Sequence, residues 1–217
     1  MSCLGILQYL LGNCLWEMIE ALGGNHTRSR TACSRLLNMI DVCARSLGEE
    51  TPINTLTVTM VRASATAKPK FKGKAAESRH FLPIVLQVLS VCFPVDTVHE
   101  RSRFHCVEAL NLCYKEMEDW QASTSPERLG QLARRHLLLW AELQQECEGT
   151  NTWALYPKHH MFLHCAESSS TNPRLEWNYG DESEIGAAAL VVGAVNVASL
   201  PVGLMQRYRA TFAPPSQ

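Results

Sequence analysis

Three histidines and a cysteine crowd into YPKHHMFLHC, residues 156 to 165. On a helix, His160 and His164 stand four residues apart, so both imidazoles project from one face with Cβ atoms about 6 Å apart. That spacing can clamp Zn²⁺, with Cys165 adjacent in sequence. Met161 fills the position where a zinc protease carries its glutamate base, which speaks against that enzyme class. A structural zinc usually has four protein ligands, and the remainder would have to come from afar, for example His105 and Cys106. The competing reading is a packed helix that turns Met161, Phe162 and Cys165 inward and leaves the histidines to bond locally.

A second constellation is NPRLEWNYGDESEIG, residues 172 to 186, where Arg174, Glu176, Asp181, Glu182 and Glu184 surround Trp177 and Tyr179. Paired carboxylates such as Asp181 and Glu182 can hold Mg²⁺ or divide acid and base roles. Asp181, Glu182 and Glu184 also suit the first turn of a helix, where negative charge meets the positive end of the dipole. The spacing by itself favours that capping role.

The third is basic. Arg62, Lys68, Lys70, Lys72, Lys74 and Arg79 set six positive charges against the single Glu77, with Phe71 among them. Lysines at every second position of an extended chain can follow a phosphate backbone while the aromatic ring stacks on a base. The alternative is a solvated loop. The chain has no GxSxG, P-loop, GxGxxG or CxxC motif, which weighs against a self-contained hydrolase or nucleotide-binding enzyme.

These groups need a scaffold. A chain of 217 residues with 46% hydrophobic and 19% charged content supports one cored domain, or one with an appendage. The net charge of −1 creates no global field toward nucleic acid or membrane, so any such contact must be a local patch. Nine scattered cysteines, an odd count, fit a reducing intracellular setting, nucleus or cytoplasm, better than a secreted disulfide framework. The apolar residues 3–16 lack the basic flank and cleavage site of a signal peptide. Residues 186–205 carry no charge and are a marginal candidate membrane span. A buried helix stopping before Pro201 explains them as well.

Periodicity predicts helices over 3–22, closed by Gly23-Gly24, and from a Thr27 cap to Leu47, closed by Gly48, which together form a hairpin. Residues 51–62 read either as a strand, from the alternation of Leu56, Val58 and Met60, or as a helix opened by Thr51-Pro52. Residues 63–75 form a connector. Further helices are expected over 81–93, started or kinked by Pro83, over 102–119, and from Ser125-Pro126-Glu127 to Glu146. The fold class is mainly α: an irregular multi-helix bundle with at most one short strand pair. The expected division is a helical hairpin over 1–50, a main helical domain over 51–200 and an irregular tail over 201–217.

The phrases KFKGKAAESRHFLPIVLQVL, WALYPKHHMFLHC, NPRLEWNYGDESEIG and LPVGLMQRYRATF, in that order, resemble an uncharacterised family present in many copies in certain protist genomes. The likeness covers roughly residues 50 to 212, and the multiplicity points to mobile-element ancestry. The pattern PKHHxxxH, followed by acids near a tryptophan, is similar to the end of DDE-type transposases with an RNase H-like core. That resemblance implies a helical insertion over 76–150 and a histidine motif at Lys158, His159, His160 and His164. It implies the last metal-binding carboxylate at Asp181 or Glu182. The only upstream strand candidate, 54–62, has no acid, while two-metal phosphoryl chemistry needs several converging carboxylates. The resemblance therefore implies a C-terminal piece without independent activity.

The leading expectation is a non-catalytic, transposon-derived helical protein that contacts DNA or RNA through Lys68, Lys70, Lys72, Lys74 and Arg79. No cofactor is required, although His160, His164, Asp181 and Glu182 would suit Zn²⁺ or Mg²⁺. One alternative is a helical module that binds a protein partner or associates with a membrane. Another is a metal-dependent phosphotransfer fragment of transposase or nuclease type.

Overall fold

Helix α1, Leu4–Ala21, is apolar around most of its circumference and packs against several later helices. Ile6, Leu7, Leu10, Leu11, Cys14, Leu15, Met18 and Ile19 are all buried. A helix buried on most of its faces belongs at the centre of a core rather than its rim. The structure, a computed structural model, describes residues 4–168 and 170–176. Among these no helix is long and apolar enough to cross a membrane. Asp181, Glu182, the 186–205 run and the 201–217 tail lie outside the described residues. Residues Cys3–Leu175 cluster into one compact unit.

The described residues are mainly helical, as the periodicity predicts. α1 ends where Gly24 N–H bonds Ile19 O and Gly23 N–H bonds Glu20 O, at 2.8 and 2.9 Å. Gly23 carries φ 80°, a left-handed conformation that costs a glycine nothing. The spacing of Cys33, Leu36, Ile40, Cys43 and Leu47 predicts one buried face; α2, Arg30–Ser46, buries the first four, while Leu47, at its C-cap, is exposed. Its N-cap is Ser29 rather than Thr27. Thr27 sits in a turn in which Asn25 Oδ1 accepts from the backbone N–H groups of Thr27 and Arg28, at 2.9 and 2.7 Å. That local bond competes with capping and moves the helix start forward.

The ambiguous 51–62 stretch resolves as a single turn, α3, Val58–Val61, and no strand forms among the described residues. α4, Ala75–Cys92, begins earlier than expected and runs on through Pro83. An interior proline costs about 3 kcal/mol. Phe81, Leu82, Ile84, Val85 and Val88 are buried on either side of it. At about 1.5–3 kcal/mol for each buried side chain, packing outweighs the break.

α5, Val98–Glu118, opens on a reciprocal cap: Glu100 N–H donates to Thr97 Oγ1 at 3.1 Å, and Thr97 N–H donates to Glu100 Oε2 at 2.8 Å. α6, Ser125–Glu146, packs on α5 more extensively than any other pair of helices do. Ser125 meets Glu116, His136 meets Cys106 and Ser102 meets Glu142, so the two run antiparallel. α7, Pro157–Ser168, lies against α6, and a short 3₁₀ turn spans Pro173–Glu176.

Candidate nucleic-acid interface

The lysine segment leaves α3 and crosses α1 as an extended stretch. Burial alternates along it: Pro69, Phe71 and Gly73 are buried, while Lys68, Lys70, Lys72 and Lys74 are exposed. That is the period of two expected of extended chain, with every ammonium on the solvent side. Backbone bonds fix the register. Lys70 N–H bonds Val61 O at 2.7 Å, Lys72 N–H bonds Met60 O at 2.8 Å and Phe71 N–H bonds Gln8 O at 2.8 Å. The Gln8 side chain adds a bond from Nε2 to Gly73 O at 2.9 Å. Gly12 lets the segment approach, since a Cβ there would stand 2.6 Å from the backbone N and Cα of Lys70.

Phe71 does not face solvent. It is fully buried with its ring centroid 5.3 Å from that of Phe81, so it anchors the segment and is no stacking surface for a base. The aromatic surface comes instead from Tyr9 on α1 and Tyr156 just before α7. Their rings stack with centroids 4.2 Å apart and planes 27° apart. Lys68 Nζ lies 5.0 Å from the centre of the Tyr156 ring. Lys70 and Lys158 Nζ lie 5.5 and 5.4 Å from that of Tyr9. These are cation–π distances. Gly5 leaves the room on α1 that the Lys158 side chain occupies.

The resulting cleft measures about 540 Å³ and is lined by Gln8, Tyr9, Ala63, Lys68, Lys70, Phe71, Lys72 and Tyr156, with no carboxylate among the described residues. Among the described residues no acid forms an ion pair with Lys68, Lys70, Lys72 or Lys158. Burial, with the Tyr9 phenol beside it, pushes the Tyr156 hydroxyl up, so it supplies no counter-anion at neutral pH. The other two expected contacts differ. Lys74 stands before α4, where its N–H donates to Glu77 at 2.9 Å, and Arg79 forms an ion pair with Glu118. Lys68, Lys70 and Lys72 therefore converge, while Lys74 and Arg79 serve helix α4 and its neighbour.

The histidine stretch divides in two. His159 is buried, with its ring 4.4 Å from Trp140 and 5.9 Å from Tyr156, and burial pushes its pKa down to about 4. His160 and His164 are exposed with their Nε2 atoms 2.9 Å apart, so the pair does share a face. Among the described residues no third ligand side chain joins them. Cys106 meets His136, with Sγ 3.4 Å from Nδ1, and His105 meets Glu108. Met161 and Cys165 are exposed rather than packed, and only Phe162 of that trio is buried.

A second polar cluster was not foreseen. Glu17 of α1 accepts from Arg103 Nη1 at 2.8 Å, from the Trp153 indole N–H, and from His99 Nε2 at 3.0 Å. His99 Nδ1 lies 3.0 Å from Glu146. Burial alone would raise the Glu17 carboxyl, but these donors together hold it below its usual range. Cys147 adds a third metal-competent atom within 4.8 Å of Glu17 and His99. Burial pushes that thiol up, so it is protonated at neutral pH. Both nitrogens of His99 already face carboxylates, so the ring cannot act as a base toward Cys147. The cluster is an ion-pair hub.

Neither tyrosine carries a local sequence signal, because each sits in an ordinary helix or turn context and they meet only through the fold. The one available hint was that Tyr156 and Lys158 flank Pro157 in the stretch already singled out. No protein-family model, curated protein or solved structure matches the chain.

Proposed function

We propose that this chain is a non-catalytic nucleic-acid-binding protein whose contact surface is the lysine–tyrosine cleft. One observation carries the reading: Lys68, Lys70, Lys72 and Lys158 gather around a stacked tyrosine pair, with no carboxylate among the described residues that line the cleft. Phosphates supply the anions that the described residues do not, and aromatic faces tolerate any base. The molecule's net charge of −1 restricts the attraction to this patch. Descent from a mobile element belongs to the same proposal and rests on the sequence resemblance above. The absence of catalysis rests on the missing nucleophile motifs and on the mutual pairing of Glu17, His99, Arg103 and Glu146, which occupies those groups with one another.

The test is fluorescence anisotropy of labelled DNA and RNA against increasing salt. A negative slope of log affinity with log salt, in proportion to the phosphates contacted, is expected. Lys70→Glu with Lys72→Glu should abolish binding while the circular dichroism spectrum stays unchanged. Binding that survives this double change with the same salt slope would place the contact elsewhere.

A further inference from the structure

We infer that the cleft selects single-stranded over duplex nucleic acid by stacking one base on Tyr9, at the outer end of a column of rings that runs out of the core. This deepens the nucleic-acid reading and rests on it. The column is continuous. Trp140 is fully buried and lies 4.4 Å from His159, His159 lies 5.9 Å from Tyr156 with planes 16° apart, and Tyr156 lies 4.2 Å from Tyr9. Tyr9 is half-buried and lines the cleft, so a ligand base adds the next ring to the series.

The lysines make that exchange possible. Lys70 and Lys158 rest their ammonium groups against Tyr9. An ammonium on a flexible stem is a mobile, strongly hydrated charge. A base arriving at Tyr9 takes the ring face, and the displaced ammonium moves a short distance to the adjoining phosphate. Cation–π contact is traded for stacking and a charge-assisted bond. Lysines at every second position of extended chain repeat at about 6.5 Å, a step comparable to that between phosphates of a stretched single strand. The segment cannot slide, because its backbone is tied to α1 and α3 at Phe71, Lys70 and Lys72. A duplex keeps its base faces inside the stack and offers this column nothing but phosphate.

The experiment uses the full chain with a fluorescein-labelled oligothymidine, a duplex of equal length, and a single strand carrying one 2-aminopurine. The single strand should bind at least tenfold more tightly than the duplex, and 2-aminopurine fluorescence should fall on binding as the base stacks. Tyr9→Leu should weaken single-strand binding by about fivefold to a hundredfold with an unchanged salt slope, and leave duplex binding unaltered. Tyr9→Phe, which keeps the ring, should retain the affinity and confirms that the site still folds. Equal affinity for both forms, or unchanged 2-aminopurine emission, overturns the stacking inference and leaves the broader reading standing. No binding of either form at low salt overturns both.

Discussion

His99 Nε2 lies 3.0 Å from Glu17 Oε1, and the opposite nitrogen of the same ring, Nδ1, lies 3.0 Å from Glu146 Oε2. A ring with carboxylates at both nitrogens favours the imidazolium, which alone can donate to both. The bond to Glu17 raises the His99 pKa above 6.5, against the opposing effect of burial. Glu17 is held below 4.5. The Glu17 contribution is complete above 4.5 and is lost as pH falls through its folded value. The His99 contribution is complete below 6.5 and is lost as pH rises through its folded value. Both act together between these limits.

The destabilisation caused by His99→Gln should therefore be larger at pH 6 than at pH 9, as measured by urea unfolding. An equal loss at the two pH values would show that the ring is neutral in the folded protein. Glu17→Gln should be the more damaging change at pH 7, because it leaves the buried guanidinium of Arg103 without its carboxylate. Breaking a buried pair from one side costs about 3–5 kcal/mol.

His136 acts in the opposite sense. It is buried on α6, its Nδ1–H donates to Cys106 O at 2.8 Å, and its Nε2 has no hydrogen-bond partner among the described residues. Burial pushes its pKa from 6.5 down to about 4, despite the favourable bond to Cys106. The unfolded chain binds this proton more readily, so stability declines as pH falls from 6.5 toward 4 and levels off below. The full drop for this residue is about 3 kcal/mol. His159, also pushed to about 4 by burial, adds to the same limb. His136→Leu should flatten the decline in the urea midpoint between pH 6.5 and 4 while leaving the spectrum helical. A decline of undiminished steepness in the variant would assign acid sensitivity to other groups.

The helices were legible where burial repeats locally. The α2 residues Cys33, Leu36, Ile40 and Cys43 and the α6 residues Leu129, His136, Trp140 and Leu143 lie at turn spacing and are buried, whereas Leu132 and Leu139 at the margin of the α6 face are half-buried and Leu47 at the end of the α2 face is exposed. The lysine alternation was legible for the same reason, since a period of two is a property of the segment itself. Phe71 was misread because exposure is not local. Its lysine neighbours suggested solvent, but Phe81 waits beneath it. The stacking of Tyr9 on Tyr156 and the Glu17 hub had no local trace, because each joins the first helix to residues far along the chain. Trp153 shows the same limit. It is buried with φ 52°, held by a bond from its N–H to Asn13 Oδ1 and by one from Trp140 Nε1 to its carbonyl, each 2.9 Å. No pattern of residue types announces a left-handed tryptophan; these two bonds, the indole N–H bond to Glu17 and the burial of the ring against Trp140 hold that conformation.

Gly12 connects the core to the cleft and can be tested as such. It lies on α1 beneath the lysine segment, with the backbone of Lys70 and Pro69 where a side chain would begin. Backbone cannot swing aside as a lysine tip can, so one added methyl group must lift the segment or shift α1. Overpacking of this kind costs about 1–3 kcal/mol, although alanine is the better helix former by about 1 kcal/mol. Lifting the segment also strains the Phe71–Gln8 and Lys70–Val61 backbone bonds that set the lysine register. Gly12→Ala should therefore lower the urea midpoint and weaken oligonucleotide binding together, although position 12 touches no ligand. Its salt slope should fall as well, because fewer ammonium groups then reach phosphate at once. A stable Gly12→Ala protein with unchanged affinity would show that the cleft does not depend on the close seating of the lysines over α1.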